Sequence, residues 1–169
     1  MTFSDLISRR YSVRAYKPDP VEEEKLRAVL EAGRLAPTAA NRQPFVILVI
    51  HTVGREADLQ RVYGEPWFTQ APIVLGVCAL PGRAWVRSDG KNYCDVDAAI
   101  VMDHMILAAT ELGLGTCWIG AFNPDAAREV FGLPEDVELI ALTPLGYPAD
   151  QPRPKARKPL TDLVRYEGW

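Results

Sequence analysis

Residues 95–120 read DVDAAIVMDHMILAATELGLGTCWIG. From Asp95 to Leu112 the pattern is helical, and Gly113 supplies the cap at which such a helix stops. Ala98 to Val101, Met102 and Met105 to Ala109 place apolar side chains around nearly the whole circumference. A helix of that kind is buried on most sides. In a chain of 169 residues a second copy is a natural outer wall, with a central place inside one monomer as the alternative. Thr116–Ile119 then reads as a short strand.

Working outward, the remaining elements mix helices and strands without strict β-α-β alternation. Thr2 and Asp5 predict a capped helix over Phe3–Ser8. Asp19-Pro20 followed by Glu22, Glu23 and Glu24 predicts a helix that starts there and runs to about Ala36, ended by Pro37. Phe45–Ile50 and Ile73–Ala79 are apolar runs that read as buried strands. Asn123-Pro124 starts a helix that Gly132 and Pro134 stop, and Glu138–Leu145 is another strand. No long glycine-rich turn follows a strand. The pattern predicts an α+β fold and argues against a dinucleotide-binding Rossmann domain. Tyr147–Pro159 holds four prolines, five with Pro144 just upstream, so it predicts an extended path. Leu160–Trp169 is therefore expected to be an arm, not a core element.

Composition bounds the function. The length suits one domain, residues 1–169, and 48% hydrophobic with 24% charged residues suits a globular chain. No apolar run approaches the roughly 18 residues of a membrane helix. Met1–Arg10 is amphipathic and has no signal-peptide core. Three cysteines without C-x-x-C spacing argue against a disulfide framework or zinc site, and a cytoplasmic location is expected. The net charge is −3, which disfavours nucleic acid as a partner, and nothing suggests a membrane partner. The charge is unevenly spread: residues 1–43 carry +2, residues 44–150 carry −8 and residues 151–169 carry +3. Two basic ends brought together would make a positive pocket for a small anion such as a phosphate.

Three stretches could carry chemistry. If residues 10–14 are extended, Arg10, Ser12 and Arg14 share one side, with Tyr11 between them. Two guanidinium forks and a hydroxyl match a phosphate dianion, although a solvated basic strand has the same pattern. Lys155, Arg157 and Lys158 form a second basic cluster near the other end. Between Pro37 and Pro44 a small polar loop presents Thr38, Ala39, Asn41 and Gln43. Amides two residues apart can read an imide-like edge, or the loop can be a plain helix-to-strand connection. His51 and His104 read as structural, Cys117 as a buried thiol, and Trp67, Phe68 and Trp85 as lid or core. No hydrolase, Walker or metal-ligand pattern is present, and no catalytic side chain is assigned.

Together these stretches resemble the nitroreductase family of FMN-dependent oxidoreductases. The resemblance rests on Arg10, Ser12 and Arg14; on Pro37, Thr38, Asn41, Gln43, Pro44 and Phe45; and on Gly113 to Gly120. It continues through Ala141-Leu142, Gly146-Tyr147-Pro148, and Lys155, Arg157, Lys158, Pro159 and Leu160. These follow the family's order over nearly the full chain. The resemblance implies a mostly antiparallel sheet flanked by helices, with a C-terminal arm reaching a partner subunit. It implies a homodimer with FMN in the cleft between subunits. Arg10, Ser12, Arg14, Lys155 and Arg157, with Tyr11 beside them, would hold the phosphate. Pro37, Thr38 and Ala39 would approach from the other subunit, and Asn41 and Gln43 would meet the ribityl chain or the ring. Trp118, Ile119, Gly120 and Ala121 would flank the ring, with a backbone N–H near flavin N5. NADH or NADPH would donate, and a nitroaromatic, quinone or similar small molecule would accept, in ping-pong order. Other flavin chemistry on the same fold is the alternative: dehalogenation, flavin fragmentation or ring dehydrogenation. A non-catalytic flavin-binding protein is a third reading. The family's Asn–Lys pair has no match in Leu59–Gln70, and Gly120-Ala121 stands where its members often carry Glu-Gly.

Overall fold

The computed structural model describes residues 2–169. Four strands form one sheet in the order β1-β2-β4-β3, where β1 is Phe45–His51, β2 Ile73–Ala79, β3 Gly115–Thr116 and β4 Glu138–Gly146. Every pairing is antiparallel. The α+β expectation is borne out.

β2 lies in the middle of the sheet and is buried along its whole length. Alternation sends Leu75 and Val77 to one face and Val74 to the other. On the first face lie α2 (Glu23–Arg34) and α4 (Cys94–Glu111), with Leu26, Val29, Val101, Met102 and Met105 in one cluster with the strands. On the second lie α3 (Glu56–Val62) and α5 (Pro124–Phe131), with Leu59, Val62, Phe68 and Ala127 around Val74 and Leu142. Phe68 is therefore core, not lid. A short α1 (Phe3–Arg9) precedes them and a four-residue α6 (Leu160–Leu163) follows.

Local signals set several boundaries. The Thr2 hydroxyl accepts from the Asp5 N–H at 3.2 Å while the Asp5 carboxylate accepts from the Thr2 N–H at 3.0 Å. Asn123 caps α5 by accepting from two N–H groups, and Gly132 ends it at φ 63°. Gly113 follows α4 at φ 77°, a conformation that glycine adopts without strain.

Three expectations are corrected. α2 begins at Glu23, not at Asp19-Pro20, and ends at Arg34. Glu22, at the N-cap position just before it, makes no side-chain capping bond and instead accepts from the Tyr147 hydroxyl at 2.6 Å. The strand expected over Thr116–Ile119 pairs regularly only at Gly115–Thr116. Past that point the Cys117 N–H donates to the Thr143 hydroxyl at 3.0 Å, a side chain replacing a rung, and pairing resumes at Ile119–Leu142. β1 is not fully buried: it is the sheet's outer strand, and Val46 and Val49 are 45% and 38% exposed.

Candidate functional site

The N-terminal run is extended beside β3. The Val13 N–H donates to the Thr116 carbonyl at 2.9 Å, and Val13 is 1% exposed. With Val13 turned inward, its neighbours Ser12 and Arg14 line a cleft with Arg10 and Tyr11. The other wall comes from the C-terminal segment, where Arg153, Lys155 and Arg157 repeat at every second residue. The two basic ends therefore do meet, in a cleft of about 280 Å³. Lys158 lies outside this lining. Arg153 was missed by sequence reasoning, although the same two-residue period extends to it.

The electrostatics suit an anion. Among the described residues, none of these five cations forms an ion pair with a carboxylate. The Lys155 ammonium is pushed below its ordinary range, first by loss of water and then by Arg10 and Arg157 nearby. It donates to the Ser8 carbonyl, which ties the arm back to α1. Arg14 also lies 6.0 Å from the ring centre of Trp67. Nothing in the sequence linked those two residues.

Trp118 to Ala121 continue directly from β3. Trp118 is 42% exposed, and Gly120 and Ala121 are exposed beside it. Ile119 differs: its side chain is buried, and its N–H and C=O both pair with Leu142, at 2.8 and 3.0 Å. It holds its neighbours outward.

The Pro37–Gln43 loop is elsewhere. Phe45 pairs with Ala79, whereas Thr116 pairs with Leu145, which pairs with Ile73. The loop before Phe45 and the cleft beside Thr116 thus sit toward opposite ends of β2, about 20 Å apart along a seven-residue strand. The loop is strained. Ala40, Asn41 and Gln43 all have φ of 51°, a region where each non-glycine residue costs about 1–2 kcal/mol. Its side chains restrain it: the Gln43 N–H donates to the Thr38 hydroxyl at 3.0 Å, and the Gln43 amide to Asn41 Oδ1 at 3.3 Å. Pro37, Asn41 and Gln43 are exposed.

One anchor comes from far away. Asp97 Oδ1, on the first turns of α4, accepts from the Ala39 N–H at 2.8 Å, and Asp97 is only 1% exposed. Its Oδ2 has no hydrogen-bond partner among the described residues. Backbone strain maintained by a buried carboxylate marks a loop with a defined shape to keep. Asp97 was not singled out from sequence, because an acid near a helix start is ordinary there.

The cleft can neutralise a compact dianion, and Trp118–Ala121 beside it offers a flat side chain and exposed backbone for a planar group. Comparison with known proteins agrees with this shape. A family model described as Nitroreductase family matches residues 7–72 and 52–147. A nitroreductase family protein from Clostridium difficile is 40% identical, covers 100% of both chains and superposes with a TM-score of 0.92. An NADH dehydrogenase of Thermus thermophilus is 29% identical, over 92% of this chain and 91% of its own. An FMN reductase (NAD(P)H) of Bacillus subtilis is 32% identical, over 88% of this chain and 66% of its own. With the family match running from residue 7 to residue 147, over the N-terminal wall of the cleft and all four strands, this chain belongs to the nitroreductase family.

Proposed function

We propose that residues 1–169 form one flavin-binding domain of an FMN-dependent NAD(P)H oxidoreductase, acting on nitroaromatic, quinone or similar acceptors. The observation that carries this reading is the cleft in which Arg10, Arg14, Lys155 and Arg157 converge, none of them ion-paired to a carboxylate among the described residues. Those residues fit the phosphate of FMN: a dianion would offset the loss of water and the repulsion from Arg10 and Arg157 that together lower Lys155. Arg10 and Arg14 would hold it through guanidinium forks, Ser12 through its hydroxyl, and Tyr11 would line the side.

When bound, FMN would supply two-electron hydride chemistry between NADH or NADPH and the acceptor, in ping-pong order. The protein's part is position, charge and exclusion of water. Trp118 would flank the ring and shield one side. The backbone N–H toward flavin N5 would come from Gly120 or Ala121, because Ile119 already gives its own to Leu142. A fixed donor there stabilises charge on the reduced ring. No catalytic side chain is required.

A second copy completes the site. Pro37, Thr38, Ala39, Asn41 and Gln43 cannot meet a group bound in their own chain's cleft, given their place toward the other end of β2. A two-fold partner would bring its loop to this cleft. Val46 and Val49 on the outer strand and Val96 on α4 stay exposed, and so does every residue from Gln151 to Trp169. Those surfaces suit a homodimer with the C-terminal arm laid on the partner. The purified protein should be yellow, and added FMN should raise its melting temperature. A colourless protein whose melting temperature ignores FMN would reject the reading. Oxidation of NADH or NADPH that depends on an added nitroaromatic or quinone then tests the activity.

A further inference from the structure

Asp150 is the one carboxylate among the residues lining the cationic cleft. Its charge opposes any anion bound there, so its presence needs a reason. The backbone supplies one. Residues 147–149 run antiparallel to residues 15–17: the Lys17 N–H donates to the Tyr147 carbonyl at 2.9 Å, and the Ala149 N–H to the Ala15 carbonyl at 2.8 Å. Backbone pairing between the two segments stops there, and among the described residues the Arg14 N–H meets no backbone carbonyl. It donates instead to Asp150 Oδ2 at 2.8 Å. The Tyr11 hydroxyl donates to Asp150 Oδ1 at 3.2 Å and to the Asp150 carbonyl at 3.1 Å.

The Asp150 side chain thus ties the two segments together where their backbone pairing stops. That release lets the chain turn back across Arg10–Arg14, carrying Arg153, Lys155 and Arg157 to the opposite wall. We infer that Asp150 is a positioning residue: it pins the departure of the cationic arm and so assembles the phosphate grip, despite its unfavourable charge. This rests on the FMN reading and adds to it the residue that builds the site.

The test compares wild type with Asp150→Ala and Asp150→Asn, with FMN and riboflavin titrated by flavin fluorescence. Loss of a pin of charge-assisted hydrogen bonds should weaken FMN binding by Asp150→Ala about tenfold or more. Riboflavin, which has no phosphate, should bind all three proteins alike. Asp150→Asn keeps an acceptor for Arg14 and a partner for Tyr11 while removing the opposing charge, so it should bind FMN at least as well as wild type. Tighter FMN binding by both variants would overturn the inference, since Asp150 would then act only as a repelling charge. Equal losses for FMN and riboflavin would also overturn it. Trypsin gives a flavin-free readout. Arg153 and Lys158 precede prolines, so between Asp150 and Pro159 cleavage is confined to Lys155 and Arg157, and those cuts are the ones scored. Asp150→Ala should be cut there faster than wild type and Asp150→Asn should not; unchanged cutting would overturn the pin. If wild type binds no flavin, the cofactor reading alone fails, and proteolysis still decides the role of Asp150.

Discussion

Gly115→Ala perturbs the site from behind. Gly115 lies on β3 opposite Gly146, and a Cβ there would stand 2.7 Å from Val13 Cγ2 and 3.0 Å from its Cβ and Cγ1. Val13 has no room to retreat. It is 1% exposed, packs with Tyr16 and Ala71, and is held by its N–H bond to Thr116. Its branched side chain also resists a change of rotamer. The added methyl should therefore cost about 1–3 kcal/mol. At about 2–4 °C per kcal/mol for a domain of this size, the melting temperature should fall by several degrees. The run that shifts also carries Ser12 and Arg14, so FMN affinity should fall with it. Val13→Ala alone removes two buried methyls, worth about 0.8 kcal/mol each plus a cavity term. In the double variant the new methyl occupies the space that Val13 vacates. The two substitutions should then cost less together than their sum, with a coupling of about 1 kcal/mol or more. Urea and thermal denaturation at one protein concentration, with FMN titration alongside, measure all four proteins. A wild-type melting temperature for Gly115→Ala, or strictly additive losses, would refute the packing argument.

Three further expectations concern the cleft, the arm and the loop. Arg14→Ala should weaken FMN by about ten- to a hundredfold, from a lost charge-assisted hydrogen bond of about 1.5–3 kcal/mol, and leave riboflavin unchanged; equal FMN affinity would reject its place at the phosphate. Deleting Leu160–Trp169 removes only exposed residues, so no core within the chain is lost. A fall in melting temperature and a shift toward monomer by sedimentation are expected; a truncated dimer of full stability would contradict the arm's proposed role. Asp97→Ala strands the Ala39 N–H and should destabilise by about 1–3 kcal/mol, whereas Asp97→Asn keeps an acceptor and should lose less. If both melt alike, the bond from Asp97 is not what holds the loop.

Several elements were legible because their signals are local. Thr2 and Asp5, Asn123-Pro124 with Gly132, and Gly113 each act within one helical turn, and the helix ends fall where they point. The strands were legible from apolar β-branched runs. Asp19-Pro20 misled because a cap signal states what a residue can do, not which donor it meets. In the folded chain the Glu22 carboxylate is engaged by Tyr147, 125 residues away. The strained loop was visible as a motif but not as geometry: alanine and glutamine at positive φ oppose their own preferences, and asparagine only tolerates it, so surrounding contacts must impose it.

The sequence by itself determined the order of the four strands and of every helix but α3 and α6, the α+β class, the family and the basic character of both ends. Those properties follow from patterns a few residues long or from simple counting. Only the tertiary structure decided that Arg153 joins the cleft, that Trp67 stands beside Arg14, and that the Pro37–Gln43 loop lies away from its own chain's cleft. It also decided the work of two acids. Asp97 and Asp150 look like any surface carboxylate in the sequence, yet each meets a backbone N–H, 58 and 136 residues away. A carboxylate's role depends on which unpaired donor folding brings to it, and that pairing is fixed by how distant segments pack, not by neighbours in the chain.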